Sequence, residues 1–292
     1  MHVLVITKPT NFEQHGEVVR SQIERGYLPE SQLRELEEAH REHYESLSCV
    51  ESCLKESGVL YDKISRGEKW QRGACYDFVV SVGGDGTLLS ASHRILDETP
   101  VIGVRSSQSS VGYLCAGGHD EIEGLIGAQL EKKLLFAECA RLSASIFYAE
   151  ENQERQTVPV LNDFLFANHN PSATTRYHIV VGDDFEVHKS SGVWVSTATG
   201  SSAGILAAGG SRMARLEKSF QYKVRELYKG VKEEFFLTGG IFDPDKEVFR
   251  LENRNESAVL ALDGQRGVIP LKFGDHITFK RAPAIQIALP FS

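Results

Sequence analysis

Ser81-Val82-Gly83-Gly84-Asp85-Gly86-Thr87 closes an apolar run, Tyr76 to Val82, and leads into a segment, Leu88 to Leu96, whose apolar residues recur at helical spacing. A strand that ends in a glycine turn and opens straight into a helix aims the helix's unsatisfied N–H groups at whatever fills the turn. The stretch therefore reads as a phosphate-sized anion site. Gly83, Gly84 and Gly86 carry no Cβ and are free to take positive φ, which would let a ligand lie against the backbone. Asp85 is the reactive side chain of the loop. A carboxylate beside a phosphate cradle needs a task of its own, either steering a metal ion or accepting a proton from a hydroxyl. A purely architectural reading, with Asp85 capping the helix, stands beside this one.

Working outward, the strand before the loop has companions. His2 to Ile6 reads as a first strand ended by Lys8-Pro9-Thr10, Val59 to Ile64 as a second, and Pro100 to Val104 as a fourth. Strands alternate with helical segments, as in a parallel sheet. Lys8 falls just past the carboxyl end of the first strand, where an open α/β sheet takes its ligands, and a solvated turn lysine is the equal alternative. Arg105 opens a serine-rich loop, Ser106 to Tyr113, at the end of the fourth. Residues 12–57 read as two helices broken near Gly26 to Ser31, with Ser31 or Glu30 as the second cap. His40 and His43, three apart on this charged stretch, read as a solvated face.

Beyond Gly117-Gly118 the pattern changes to one helix, Asp120 to Leu130, followed by short strand-like runs: Leu142 to Tyr148, Val158 to Ala167, Tyr177 to Val181 and Gly192 to Thr197. The chain thus reads as an N-terminal α/β domain, 1–119, and a β-rich C-terminal domain, 120–292, whose last strands return to the first. Within the second, Thr197-Ala198-Thr199-Gly200-Ser201 is another run of small residues after a strand, suited to close backbone approach. Residues 211–237, dense in Lys, Arg and Glu, read as a helix or excursion with a solvated face. Asp263-Gly264 is a hairpin turn signal.

The composition excludes several classes. The 292 residues are 41% hydrophobic, enough for a large core, and 40 acidic against 32 basic residues give a formal charge of -8. That charge argues against a nucleic-acid partner and leaves phosphate binding to local features. No apolar run suits a membrane span, and the first residues enter a strand without a cleavable leader, so the expected location is the cytoplasm. Five cysteines without paired spacing point to reduced thiols and not to a zinc site.

In this order the motifs resemble the NAD kinase family: the Gly83 to Thr87 loop, Arg141-Leu142, Leu161-Asn162-Asp163, Thr197 to Ser201, and Asp263-Gly264-Gln265. The N-terminal Thr7 to Gln14, the long helical insert after it, Val101 to Val104 with Leu114-Cys115, and Lys189 to Gly192 are similar in particular to the mitochondrial-type branch. The resemblance implies a Rossmann-like first domain and Mg²⁺-dependent transfer of the γ-phosphoryl group of ATP to the 2′-hydroxyl of the adenosine ribose of NAD. It further implies that Asp85 contacts that ribose as the base, that Asn162 and Asp163 hold NAD, that Thr197 to Ser201 line its pocket, and that the protein is a homodimer. Lys8 and Arg105 are the basic supplements expected around a donor site otherwise made of backbone and Mg²⁺; no Mg²⁺ ligands are assigned. Lipid kinases acting on diacylglycerol or sphingosine share the Asp85 loop, but Leu88-Leu89-Ser90-Ala91 does not spell their next segment. A phosphofructokinase would need further aspartate motifs. A sensor that binds nucleotide without turnover is the non-enzymatic alternative. Arg105, Ser191, Ser202-Ala203-Gly204 and Asp163 depart from the family's usual asparagine, acidic residue, Thr-Ala-Tyr and glutamate.

Overall fold

Val3, Leu4, Val5 and Ile6 are all buried in the first strand, β1 (His2–Thr7), which is covered on both faces as a continuous apolar run requires. The computed structural model describes residues 1–68, 75–230 and 234–290. The chain divides into two units: Met1–Ala91, Asp97–Ala137 and Ile285–Ser292 form one, Ser92–Leu96 and Glu138–Ala284 the other. The first unit thus reaches to Ala137, beyond the boundary near residue 119 read from the change of pattern. The reason lies in the helix that follows that boundary, whose apolar residues pack into the first core.

After β1 come α1 (Asn11–Glu24), α2 (Glu30–Glu56), β2 (Leu60–Ser65), β3 (Phe78–Gly83), α3 (Asp85–Ser92), β4 (Val101–Arg105) and α4 (Ile122–Leu130). The strands pair in parallel in the order β2, β1, β3, β4, with Val3 opposite both Tyr61 and Phe78, and Val79 opposite Val101. Leu47, Val50 and Leu54 of α2 and Ile122, Leu125 and Ile126 of α4 join Val3, Val5, Val80 and Ile102 in one core. α1 begins with a capping box: the Thr10 hydroxyl accepts from the Glu13 amide at 3.3 Å, and the Glu13 carboxylate accepts from the Thr10 amide at 2.6 Å. α2, by contrast, has Pro29 at its cap and no side-chain cap bond, so neither Ser31 nor Glu30 caps it. Tertiary burial at the spacing of His43, Leu47, Val50 and Leu54 holds this 27-residue helix instead.

The second unit is nearly all strand: β5 (Phe136–Tyr148), β6 (Gln153–Gln156), β7 (Asp163–Asn168), β8 (Thr175–Val181), β9 (Asp184–Ser190), β10 (Gly192–Ser196), the short α5 (Gly204–Ala207), β11 (Phe220–Arg225), β12 (Gly239–Phe242), β13 (Phe249–Asn253), β14 (Ala258–Leu262), β15 (Gly267–Leu271) and β16 (His276–Ala288). β5 begins and β16 ends within the first unit's residues, where Ile287 pairs in parallel with Val101. An antiparallel sheet runs β12, β11, β10, β7, β14, β15; β8 pairs with both β9 and β13, and β13 with β16. Phe164 and Phe166 of β7 meet Phe279 and Tyr177 edge-on at 5.5 and 5.6 Å, so the two layers share one aromatic core.

β11 corrects the reading of 211–237 as a charged helix or excursion, although 231–233 lie outside the described residues. Phe220, Tyr222 and Val224 alternate into the core while Lys223 faces outward opposite Trp194. The density of charge hid a period-two alternation. β9 and β13 escaped notice for the same reason, and Gly182 at φ +60° makes the two-residue turn between β8 and β9.

Candidate active site

The carboxyl ends of all four parallel strands open on one cavity of about 780 Å³ in the first unit. Lys8 and Thr10 reach it from β1, Arg66 from β2, Gly84 to Thr87 from β3, and Ser106, Ser107, Ser109, Ser110 and Val111 from β4. This is the ligand crevice of an open α/β sheet. α1 and α2 supply the remaining wall.

Asp85 is the first residue of α3 and half-buried. Its Oδ1 accepts from the Leu114 amide at 2.8 Å, which fixes the carboxylate against the loop after β4. The loop's backbone is used differently from the sequence expectation. The Asp85 amide donates to the Val111 carbonyl at 2.9 Å and the Thr87 amide to the Gly84 carbonyl at 2.9 Å, so these two N–H groups serve the protein and not an anion. Gly83 and Gly84 have negative φ. A Cβ on Gly83 would lie 2.2 Å from Thr87 Oγ1, and one on Gly84 2.6 Å from the Val111 carbonyl. At both positions the missing Cβ makes room for neighbouring protein, while Gly84 and Gly86 also line the cavity.

Charge for a polyanion comes instead from side chains. Lys8 lines the cavity, and burial, followed by the Arg66 guanidinium, holds its ammonium below the usual lysine range. Arg66 lines it too and was missed, because β2 carries no motif. Arg105 does not line this cavity. It lines a neighbouring one of about 260 Å³ with Glu42, Glu45 and His119, and its stem lies against Gly112.

His43 overturns the solvated-face reading. It is 1% exposed, with Nε2 2.9 Å from Thr7 Oγ1 and Nδ1 2.8 Å from Ser106 Oγ. Burial first, then the Lys8 charge, pushes its pKa down to about 4, so it is neutral at physiological pH. A neutral imidazole thus ties α2 to the ends of β1 and β4. His40 bonds Thr10 Oγ1 at 2.8 Å.

The other sequence-identified residues gather in the second unit around a buried carboxylate. Asp263, 2% exposed, accepts from the amides of Leu161, Asn162 and Asp163 at 3.1, 2.8 and 3.0 Å and stands 2.8 Å from His93 Nε2. Asp263 and Gly264 have φ of +43° and +73°, as the Asp-Gly signal requires, but the aspartate also organises the Leu161 to Asp163 backbone. Thr197 Oγ1 donates to the Leu161 carbonyl and its amide to the Asn162 carbonyl. A Cβ on Gly200 would stand 2.1 Å from the Asn162 carbonyl oxygen, so only glycine fits there. Asn162, Asp163 and Thr197, Ala198, Thr199, Gly200 and Ser201 are therefore one packed group. Burial, reinforced by the Asp263 charge, raises the Asp163 carboxyl to about 7. Thr199 Oγ1 is buried with no partner among the described residues. Gly204, where the resemblance leads one to expect an aromatic, lies against the Trp194 ring, which a Cβ would meet at 2.7 Å.

Arg141 is fully buried. Its guanidinium donates to the carbonyls of Ser92, Ile95 and Pro283, each at 2.7 Å, and so pins two segments of the second unit. Among the described residues no three His, Cys, Asp or Glu side chains converge to hold a metal ion, all five cysteines are free, and no helix is long and apolar enough to cross a membrane.

Comparison with known proteins bears on this arrangement. The fold is that of two solved structures: an NAD kinase from Archaeoglobus fulgidus in complex with ATP (TM-score 0.68, 18% identity, 98% of this chain and 93% of that one) and a yeast NADH kinase complexed with NADH (TM-score 0.68, 17% identity, 100% and 84%). The ATP-NAD kinase N-terminal domain matches residues 9–130. A probable NADH kinase of Oryza sativa subsp. japonica is 27% identical over 281 residues, 88% of this chain and 85% of that protein, and an NAD kinase of Aquifex aeolicus is 29% identical over 247 residues, 82% and 86%. Residues 9–130 are thus similar to the N-terminal domain of ATP-NAD kinases, and most of the chain is similar to NAD and NADH kinases.

Proposed function

We propose that this protein transfers the γ-phosphoryl group of ATP to the 2′-hydroxyl of the adenosine ribose of NAD, giving NADP. The observation that carries the reading is Asp85, held by the Leu114 amide on the wall of a cavity that also presents Lys8 and Arg66. In the reaction the 2′-oxygen forms a bond to the γ-phosphorus, the bridge to the β-phosphate breaks, and ADP leaves. Asp85 orients the hydroxyl and takes its proton. A carboxylate suffices, since a loose transition state asks mainly for positioning and charge neutralisation. Lys8 and Arg66 hold phosphate oxygens. Asn162, Asp163 and the Thr197 to Ser201 turn hold the acceptor.

Mg²⁺ fits this chain as an ion carried on the nucleotide. No cage of three acidic or imidazole ligands exists among the described residues, and Mg²⁺ commonly binds through one or two carboxylates plus phosphate oxygens. Asp85 is the carboxylate of the loop available to it, and the ion would supply neutralisation of phosphate charge. We further read the protein as a cytoplasmic homodimer, by its family resemblance; sedimentation and cell fractionation check both.

A coupled assay for NADP formation from NAD, ATP and Mg²⁺ tests the reading, with NADH as a parallel acceptor. Turnover with a dinucleotide and none with diacylglycerol or fructose 6-phosphate is expected. ATP binding without turnover would favour the sensor alternative.

A further inference from the structure

We propose that the α1–α2 hairpin recognises the base of the phosphoryl donor, so that the donor site selects a nucleoside triphosphate over an inorganic polyphosphate. This rests on the kinase reading of the cavity. Along α2 the lining residues are Gln32, Glu35, Leu36, Ala39, His40 and His43, spaced by three and four and hence one continuous face. From Gln32 to His43 that face runs about 16 Å at the helical rise. Its inner end is fixed, because His43 bonds Thr7 and Ser106 at the strand ends. Its outer end lies beside α1, which runs the other way: Thr10 meets His40 near the strands, and Arg20 meets Glu37 at 3.1 Å farther out.

The chemistry changes along this axis. The inner end has Lys8, Arg66 and the serines after β4, groups that bind phosphate. The outer end has the half-buried apolar side chains Val19, Leu36 and Ala39, edged by His15, Gln32 and Glu35. A polyphosphate chain extended there would meet apolar surface and the Glu35 carboxylate, which repels it. A heteroaromatic ring has apolar faces for Leu36 and Val19 and polar edges for the Gln32 amide. The cavity is therefore built for a ligand charged at one end and flat and apolar at the other.

Calorimetric titration of the full chain with ATP and, separately, with inorganic tripolyphosphate tests this in wild type, Leu36→Ser and Gln32→Ala. Wild type is expected to bind ATP more tightly than tripolyphosphate. Leu36→Ser should weaken ATP by ~10-fold or more, as for a lost apolar contact, and leave tripolyphosphate within ~2-fold. Gln32 is exposed, so its truncation spares the fold and should weaken ATP by ~3-fold with tripolyphosphate unchanged. Equal affinity of wild type for the two ligands, or parallel loss of both in Gln32→Ala, overturns the proposal. The selective pattern without NADP formation would sink the kinase reading and leave this one standing; NADP formation without the pattern does the reverse.

Discussion

The Asp163 amide donates to Oδ1 of Asp263 at 3.0 Å, and the Asp263 amide donates back to the Asp163 carbonyl at 2.9 Å. The pair brings two carboxyl groups together under burial, and Asp163 carries the consequence, with its pKa raised from 3.8 to about 7. The folded chain then holds a proton that the unfolded chain has lost between about pH 4 and 7. Stability from this group is fully present below pH 4 and is lost as pH rises through 7. Asp163→Asn, which keeps the shape without the charge, should raise the melting temperature at pH 8 and change it little at pH 4. Thermal unfolding at the two pH values checks this; equal shifts at both would remove the titration from the account.

His43 shows the opposite sign. Its pKa is lowered to about 4 against 6.5 for a free imidazole, so the unfolded state binds the extra proton between those values. Its contribution is complete above pH 6.5 and is lost as pH falls to 4. His43→Gln should flatten the acid limb of the stability curve, since the amide can keep one donor and one acceptor between Thr7 and Ser106. His43→Ala should destabilise by ~2 kcal/mol or more through two stranded hydroxyls and a cavity, measured by urea unfolding at pH 7.

Arg141 makes a stability claim free of titration. Arg141→Lys keeps a charge but cannot fork to Ser92, Ile95 and Pro283 at once, so it should destabilise by ~3 kcal/mol, and Arg141→Ala by at least as much. Urea unfolding of the variants against wild type checks it. A loss under ~1 kcal/mol would mean that those carbonyls find other partners.

The parallel sheet was legible because β1, β3 and β4 are short apolar runs bounded by glycine and proline, and the break at Gly26 to Pro29 marked two helices. Asp85, Asn162 and the Thr197 to Ser201 turn were legible because glycine and small polar residues flank strand ends there. Arg66 and His43 were not. Arg66 gains meaning only when β2 is laid beside β1, and His43 looks like one of many charged-helix residues until α2 is packed on the sheet. Asp263 was legible as a turn residue but not as the acceptor of three amides a hundred residues away. β11 was hidden by its charge count, and the packing of Gly83 on Thr87 and of Gly84 on Val111 shows only once the loop is folded.

The central claim is that Asp85 receives the proton of the acceptor hydroxyl. Single-turnover phosphorylation of NAD by wild type and by Asp85→Asn, at saturating ATP and Mg²⁺, measures it most directly. The rate constant is expected to fall by ~10²-fold or more, with the circular dichroism spectrum and ATP affinity retained. A near-wild-type rate in Asp85→Asn would contradict the account.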